Sequence, residues 1–469
     1  MIVQDILDAT GAHLVHGDPR ARIQGVSTDT RALKPRELFL ALSGPNFDGN
    51  QFAEEARRAG AGALLLQDRP GTAVPRFAGE LPVALHEAPR RALADLASWH
   101  RSRLACPVIG ITGSCGKTTT KGILAQLLET RFKTVASPNS FNNDVGVPHT
   151  LLLADRDTRM LVVEIGTNGP GEIAALSRIA RPNVGIITNI GNAHLAGLGS
   201  IEGVLREKSE LFAALPKNGT AILNLDCRYA RELRDATGAR VISYSVEGGG
   251  DGDGDGVGDL NAEKPWFHAA GTTFRLRGQE ITSPLLGVHN ISNLLAALGA
   301  CLAMGLSLEE LLPAVSRLKG GRRRMERIEY GEVVVFDDTY NANPDSARAG
   351  LRVLAGLHGH RRRVVFLGDM LELGPEAPEL HHAMGRAVAE SGIDQLYLVG
   401  ELTRAAAAGA LEAGMSPSRV EHLGGREDAL RQLERCIHPG DVLLVKGSNA
   451  MGMDRIVQRI GEVFCSAVS

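Results

Sequence analysis

The sequence predicts an α/β protein of three domains, the middle one a doubly wound parallel sheet carrying a phosphate-binding loop. Three observations lead there. The chain has 469 residues, too many for one core at roughly 150 residues per domain. Apolar runs of strand length alternate with helical stretches in three successive series, the pattern of sheets covered on both faces by crossover helices. Within the second series an apolar strand runs directly into Gly113-Ser-Cys-Gly-Lys-Thr-Thr119, a Gly-rich turn that opens a helix.

Residues 1–104 read as a small N-terminal α/β domain, with strands at 37–42 and 63–66 around an amphipathic stretch at 52–59. Residues 105–318 form the central domain, with strands at 108–112, 160–165, 184–189 and 221–224. A third series, 319–469, follows the basic hinge Lys319-Gly-Gly-Arg-Arg-Arg324. Its strands at 333–336, 363–367, 395–399 and 442–445 predict a C-terminal Rossmann-like domain. No repeat of fixed period is present.

Lys plus Arg number 51 and Asp plus Glu 54, a formal net charge of −3, so no global basic field argues for nucleic acid. A small-molecule substrate is expected instead. The six cysteines contain no C-x-x-C pair and read as reduced thiols. The N-terminal stretch MIVQDILDATGAHL has acids where a secretory signal would carry Lys or Arg, and no apolar run approaches about 18 residues. A cytoplasmic protein without membrane insertion, acting as a monomer, is expected.

The Gly-rich turn is the main chemical signal. Gly113 and Gly116 let backbone N–H groups approach phosphate oxygens, and the helix N-terminus adds positive potential. Lys117 supplies a mobile cation and Thr118 a hydroxyl for Mg²⁺, with Ser114, Cys115 and Thr119 completing the cradle. ATP is the expected occupant. The longer Walker form has Gly where this chain has Ile111, so the loop is a shortened variant. Cys115, inside this cradle, is expected to be drawn toward its thiolate by N–H groups and Lys117, and its oxidation would then block ATP; a small tolerated side chain is the plainer reading.

Glu164 and His194 each follow an apolar strand, and ligands of an open parallel sheet gather at the carboxyl ends of its strands. Both are therefore candidates for the metal, although Mg²⁺ prefers oxygen donors. The Gly/Asp run at 247–259 matches the first half of a calcium loop at Asp251, Asp253, Asp255 and Gly256. Its twelfth position is Ala262 rather than Glu, so a surface insertion is expected.

Taken in order, Thr28-Asp-Thr-Arg31, Phe47-Asp-Gly-Asn50, the cradle, Ser140-Phe-Asn-Asn-Asp144, Glu164, His194, His289-Asn-Ile-Ser-Asn293, Asp337-Asp-Thr-Tyr-Asn-Ala-Asn-Pro344 and Lys446-Gly-Ser448 resemble the Mur ligases of peptidoglycan synthesis over nearly the whole chain. The Asp337–Pro344 string points to the member that adds D-alanyl-D-alanine to UDP-N-acetylmuramoyl-tripeptide. The resemblance implies that ATP phosphorylates the peptide carboxylate and that the dipeptide amine attacks the acyl phosphate. It implies that Lys117, His194 and Lys208 are catalytic, and that Lys208 is carbamylated and joins Thr118, Glu164 and His194 around Mg²⁺. Without it Lys208 would read as a helix-surface charge.

The resemblance also places Asn290 and Asn293 on the adenine side of ATP, with helix capping as the plainer alternative. Asp338 would meet the ribose, with Asn341 in the same turn, and Arg324 the phosphates, with its neighbours Arg322 and Arg323 as alternatives in register. Ser27, Thr28, Asp29, Arg31 and Asn50 would bind the uridine diphosphate part, the last standing where the family often has His. Ser140, Asn142 and Asn143 would face the muramoyl peptide, and the Lys446-Gly-Ser448 turn the dipeptide. The outer domains are expected to close over the ATP site about Gly320 and Gly321. A sister ligase, a folate polyglutamylating enzyme and an ATP-driven switch without acceptor are the competing readings.

Overall fold

The computed structural model describes residues 1–44, 47–70, 81–246, 248, 258–268, 271–357 and 361–465. The calcium-like positions Asp251, Asp253, Asp255 and Gly256 lie outside them. Sheets of five, nine and six strands occupy the three regions. The first is ordered His13–His16, Val83–His86, Ala63–Gln67, Glu37–Leu40, Gly25–Ser27. In the third, Glu326–Tyr330 pairs antiparallel on the edge of a parallel array of Val333–Asp338, Asp441–Lys446, Arg362–Gly368, Gln395–Val399 and Val420–His422.

In the central sheet Val108–Thr112 lies between Val184–Ile187 and Met160–Glu164, all parallel. Such strands are buried on both faces, and alternate side chains divide between two cores. Ile109 and Ile111 pack with Ile123, Leu124, Leu127 and Leu295, whereas Val108, Leu161 and Val163 pack with Leu151, Ile173 and Leu211. Gly110 is small because a Cβ there would come within 3.0 Å of Leu211 Cδ1. The helices Lys117–Leu128 and Val288–Ala303 pack against each other on one face.

The central sheet is not parallel throughout. Leu260–His268, Gly271–Leu276 and Gln279–Ser283 extend one edge as an antiparallel ribbon. Its second link is the two-residue turn Arg277-Gly278, both at positive φ (50° and 79°), a connection that joins only antiparallel strands. Polar residues interrupt these strands on their exposed side, which hid them in the sequence.

The first domain is fastened to the central one through the helix Pro89–Ser102. Its buried Arg101 donates to the carbonyls of Ala180 (2.9 Å), Leu104 (3.1 Å) and Arg181 (3.3 Å). At the other junction, Gln126 on the helix Lys117–Leu128 exchanges two hydrogen bonds with the main chain of Lys319, at 2.9 and 3.1 Å. The Gly320-Gly321 pair thus starts from a fixed point.

Truncation of fully buried Leu295 to Ala should cost about 2–5 kcal/mol and lower the first thermal unfolding transition. Leu411→Ala, at a position 42% exposed, should change it by less than about 0.5 kcal/mol. Differential scanning calorimetry of the two variants checks both.

Candidate active site

The turn after Val108–Thr112 opens onto a cavity of about 440 Å³. Its shape follows from two close approaches. Gly113 and Gly116 have φ of 147° and 82°. A Cβ on the first would lie 1.9 Å from Thr188 Oγ1, and on the second 2.4 Å from Asn293 Oδ1, so only glycine fits either place. The segment 188–191 braces the loop from outside. Ser114 N donates to Asn189 O (3.1 Å), Cys115 N to Asn189 Oδ1 (2.8 Å) and Ser114 Oγ to Gly191 O (2.9 Å). Lys117 folds back so that Nζ donates to Gly113 O at 2.6 Å, and burial lowers its pKa. Thr118 Oγ1 lies 3.3 Å from Ser140 Oγ, while Thr119 lines the cavity wall.

Glu164 ends the strand Met160–Glu164 and His194 follows the strand Val184–Ile187, on either side of Val108–Thr112, and both line this cavity. Glu164, 1% exposed, accepts from Asn142 Nδ2 at 3.0 Å. Lys121 Nζ lies 3.1 Å from its Oε2; this is an ion pair without a directed hydrogen bond, since Oε2 has no hydrogen-bond partner. His194, at φ 57°, has its pKa pushed down to about 4 by burial and then by Lys117 and Lys208. It is therefore neutral near pH 7, with a lone pair to offer. Glu372 of the third domain lies 3.7 Å from its Nδ1.

Lys208 corrects the reading of a surface charge. It is 0% exposed on the helix Ile201–Ala213, and its Nζ has no hydrogen-bond partner. The adjacent Glu207 cannot serve, because its carboxylate caps the next helix by accepting from Gly171 N (2.6 Å) and Ile173 N (2.7 Å). Burial, reinforced by Lys117, lowers the Lys208 pKa to about 7. Lys208 does not itself line the cavity wall. Among the described residues no group of three His, Cys, Asp or Glu side chains is placed to hold a metal ion, so Thr118 and Glu164 are the only oxygen donors of the expected set unless Lys208 supplies more.

The third domain closes the cavity. Of the three arginines, the register falls on Arg324, which lines the cavity and lies 3.9 Å from the centre of the Tyr340 ring; burial lowers its pKa. Arg323 turns away to Thr339, Asn449 and Asp454, and Arg322 is exposed. Asp338 Oδ2 accepts from Lys446 Nζ at 2.5 Å, and Lys446 also donates to Asn341 O at 3.0 Å. Lys446 thus anchors the Asp338–Asn341 turn, and both those residues line the cavity.

Capping fails as an account of the two asparagines. The helix Val288–Ala303 begins after Gly287 without a side-chain cap. Asn290 Nδ2 donates to Leu286 O (2.8 Å), and Asn293 accepts from Thr120 Oγ1 (3.1 Å) while pressing on Gly116. Cys115 also departs from expectation. Burial raises its pKa, so the thiol, not the thiolate, is favoured. Asn343, the N-cap of Pro344–Ala355, donates to Sγ at 3.0 Å.

Ser140, Asn142 and Asn143 line the cavity; Ser27, Thr28, Asp29, Arg31 and Asn50 do not. Asp29 and Arg31 pair with each other at 2.7 Å, which pulls the Asp29 pKa down, rather than standing free for a ligand. Asn50 is tied on both sides of its amide to the Gln67 main chain (2.9 and 2.8 Å). Sequence reasoning passed over three residues. Lys121 carried a signal, since it follows Lys117 by one helical turn. Tyr340 and His289 lay inside quoted motifs. His289 is half-buried, its pKa pushed down to about 4 by desolvation, and it also lines a second cavity of about 350 Å³ opening beside the first.

Three family models match the chain in order: "Mur ligase family, catalytic domain" over residues 22–99, "Mur ligase middle domain" over 111–301 and "Mur ligase, glutamate ligase domain" over 323–449. The chain is 34% identical to the UDP-N-acetylmuramoyl-tripeptide–D-alanyl-D-alanine ligase of Bacillus subtilis, over 94% of this chain and 93% of that protein. It is also 34% identical to the Escherichia coli ligase of the same name, over 94% of each. The crystal structure of MurF from Acinetobacter baumannii superposes with a TM-score of 0.87 at 31% identity, covering 98% of both chains.

Because burial holds the Cys115 thiol protonated, iodoacetamide at pH 7.5 should label it at least about tenfold more slowly than an ordinary exposed cysteine. Labelling should rise only above the usual thiol range or on unfolding. Peptide mapping by mass spectrometry gives the rate.

Proposed function

The chain belongs to the Mur ligase family, and we propose that it joins D-alanyl-D-alanine to UDP-N-acetylmuramoyl-tripeptide with hydrolysis of ATP to ADP and phosphate. One observation carries the reading. In a chain similar over nearly its full length to ligases of that name, a phosphate loop from the central domain and Arg324, Asp338 and Lys446 from the third line a single cavity.

A carboxylate is a poor electrophile. Its oxygen attacks the γ-phosphorus of ATP and ADP leaves; the dipeptide amine then attacks the acyl carbon, phosphate leaves and the amine sheds a proton. In this reading the N–H groups of the 113–119 loop hold the phosphate chain, and Lys117 and Arg324 offset charge on the transferring group. Asp338 and Asn341 meet the ribose, Asn290 and Asn293 the adenine side, and the apolar second cavity, with Val288, Leu286 and His289, suits a purine. Ser140, Asn142 and Asn143 orient the peptide carboxylate. Ser27, Thr28, Asp29, Arg31 and Asn50 form the uridine diphosphate side within residues 1–104, which requires the Asp29–Arg31 pair to open or to act as a unit. The dipeptide enters between residues 105–318 and 319–469, near the Lys446–Ser448 turn.

Mg²⁺ fits the donor set on one condition. The orphaned Nζ of Lys208 becomes a carboxylate by adding CO₂ to its neutral amine with loss of a proton, and would then join Thr118, Glu164 and neutral His194 in holding the ion. Bound there, Mg²⁺ would supply charge neutralisation for the phosphates. Glu164 Oε2 has no hydrogen bond but faces Lys121 Nζ at 3.1 Å, so that ammonium would have to move aside for the ion.

Phosphate release by the protein with ATP should require both the UDP-linked tripeptide and D-alanyl-D-alanine, and Lys117→Met should lower it by about 10²–10³-fold. Turnover without the dipeptide would favour the switch instead. Independently, ¹³C-bicarbonate should give a carbamate resonance in the wild-type protein that is missing from Lys208→Ala. Identical spectra would remove the carbamate.

A further inference from the structure

Three hydroxyl groups from three separate segments form a chain, and the reaction above gives no part to its outer member, Tyr340. Tyr340, just past the third domain's strand Val333–Asp338, donates from Oη to Ser140 Oγ at 2.5 Å. Ser140 Oγ lies 3.3 Å from Thr118 Oγ1 on the phosphate-loop helix. Each member is held from behind. The Tyr340 main-chain N–H bonds Arg323 O at 3.1 Å, and the Arg324 guanidinium covers its ring at 3.9 Å. Beside Ser140, the Asn139 carbonyl accepts from Lys121 Nζ, one turn beyond Lys117.

We propose that Tyr340 is a positioning residue that couples closure of the third domain to phosphoryl transfer, by orienting the Thr118 hydroxyl through Ser140. The inference rests on the ligase reading and deepens it. With Tyr340 donating, the Ser140 oxygen has one lone pair left, which suits the Thr118 proton. Thr118 then keeps both its lone pairs toward the cavity, and the Ser140 proton points at the peptide side. With the third domain withdrawn, Ser140 loses that donor and its hydroxyl is free to rotate and donate to Thr118, occupying a lone pair needed in the site. ATP is thereby used efficiently only when the domain that brings the dipeptide is in place. Arg324 alone would report closure by charge; the hydroxyl chain reports it by geometry at the residue next to Lys117.

Tyr340→Phe keeps the ring beneath Arg324 and removes only the donor; Ser140→Ala breaks the same chain in its middle. Amide and phosphate should be measured together with ATP, UDP-linked tripeptide and D-alanyl-D-alanine. For Tyr340→Phe kcat for amide should fall about fivefold to tenfold, the worth of one neutral hydrogen bond, and for Ser140→Ala, which also faces the peptide, at least as far. Phosphate should fall with amide, their ratio staying at one, because the slowed step is phosphoryl transfer itself, and the KM for ATP should stay within about twofold. A non-hydrolysable ATP analogue should bind wild type and Tyr340→Phe equally in the absence of the other substrates. The double variant should be no worse than Ser140→Ala, because the two act in series. An undiminished amide kcat in Tyr340→Phe, single effects that multiply, or an analogue affinity weakened in Tyr340→Phe would overturn the proposal. A wild-type protein that makes no amide would instead sink the ligase reading, and this proposal with it.

Discussion

The structure is organised around buried positive charge that has too little negative charge beside it. Desolvation lowers the pKa of Lys117, Lys208 and Arg324, and the nearest carboxylates are committed elsewhere: Glu164 to Lys121, Asp338 to Lys446, Glu207 to a helix start. A cationic pocket of this kind is costly to build, because desolvated charge without a partner opposes folding. Its natural complement is a polyanion. A triphosphate and a carboxylate to be activated supply that complement, and a carbamate on Lys208 would supply more. The same residues that weaken the empty protein are those that would gain most from the bound transition state, where charge gathers on the phosphoryl oxygens.

That arrangement depends on close packing beneath the phosphate loop. Gly113 against Thr188 and Gly116 against Asn293 leave no room for a Cβ, and Asn189 holds the main chain between them. The loop is therefore shaped by its surroundings before any ligand arrives. The third domain completes the enclosure by direct contacts, Asn343 with Cys115, Tyr340 with Ser140 and Glu372 with His194. The first domain is joined differently, through Arg101 and the helix that carries it. In the proposed reaction these two junctions of unlike construction would serve two tasks, one keeping the nucleotide-linked substrate in register with the central sheet and the other meeting the site where the acceptor is to enter.

Much of the fold was legible in the sequence because buried parallel strands are apolar on both faces and stand out as uninterrupted runs. The ribbon at 260–283 was not, since one face is wet and polar residues break the run. The loop lysine and threonine were legible because their roles are local to one strand–turn–helix unit. Lys208 was not legible from its surroundings in sequence: its helix reads as amphipathic and charged, and only the packing of neighbouring strands and helices takes Nζ out of water. The arginine run 322–324 shows the same limit, three identical residues separated only by the way the chain turns at positive φ through Arg323.

By itself the sequence determined the class of fold, the phosphate loop and the family, because each is written in residues adjacent along the chain or in motifs whose order survives without coordinates. Tertiary structure decided which charges are buried, which of three arginines enters the cavity, that the Cys115 thiol is suppressed rather than activated, and that Asn290 and Asn293 brace the site instead of capping a helix. The physical reason is common to all of them. Burial and partnership arise between segments distant in sequence, and the free energy of a charged or polar side chain is set by what those segments bring within a few ångströms of it.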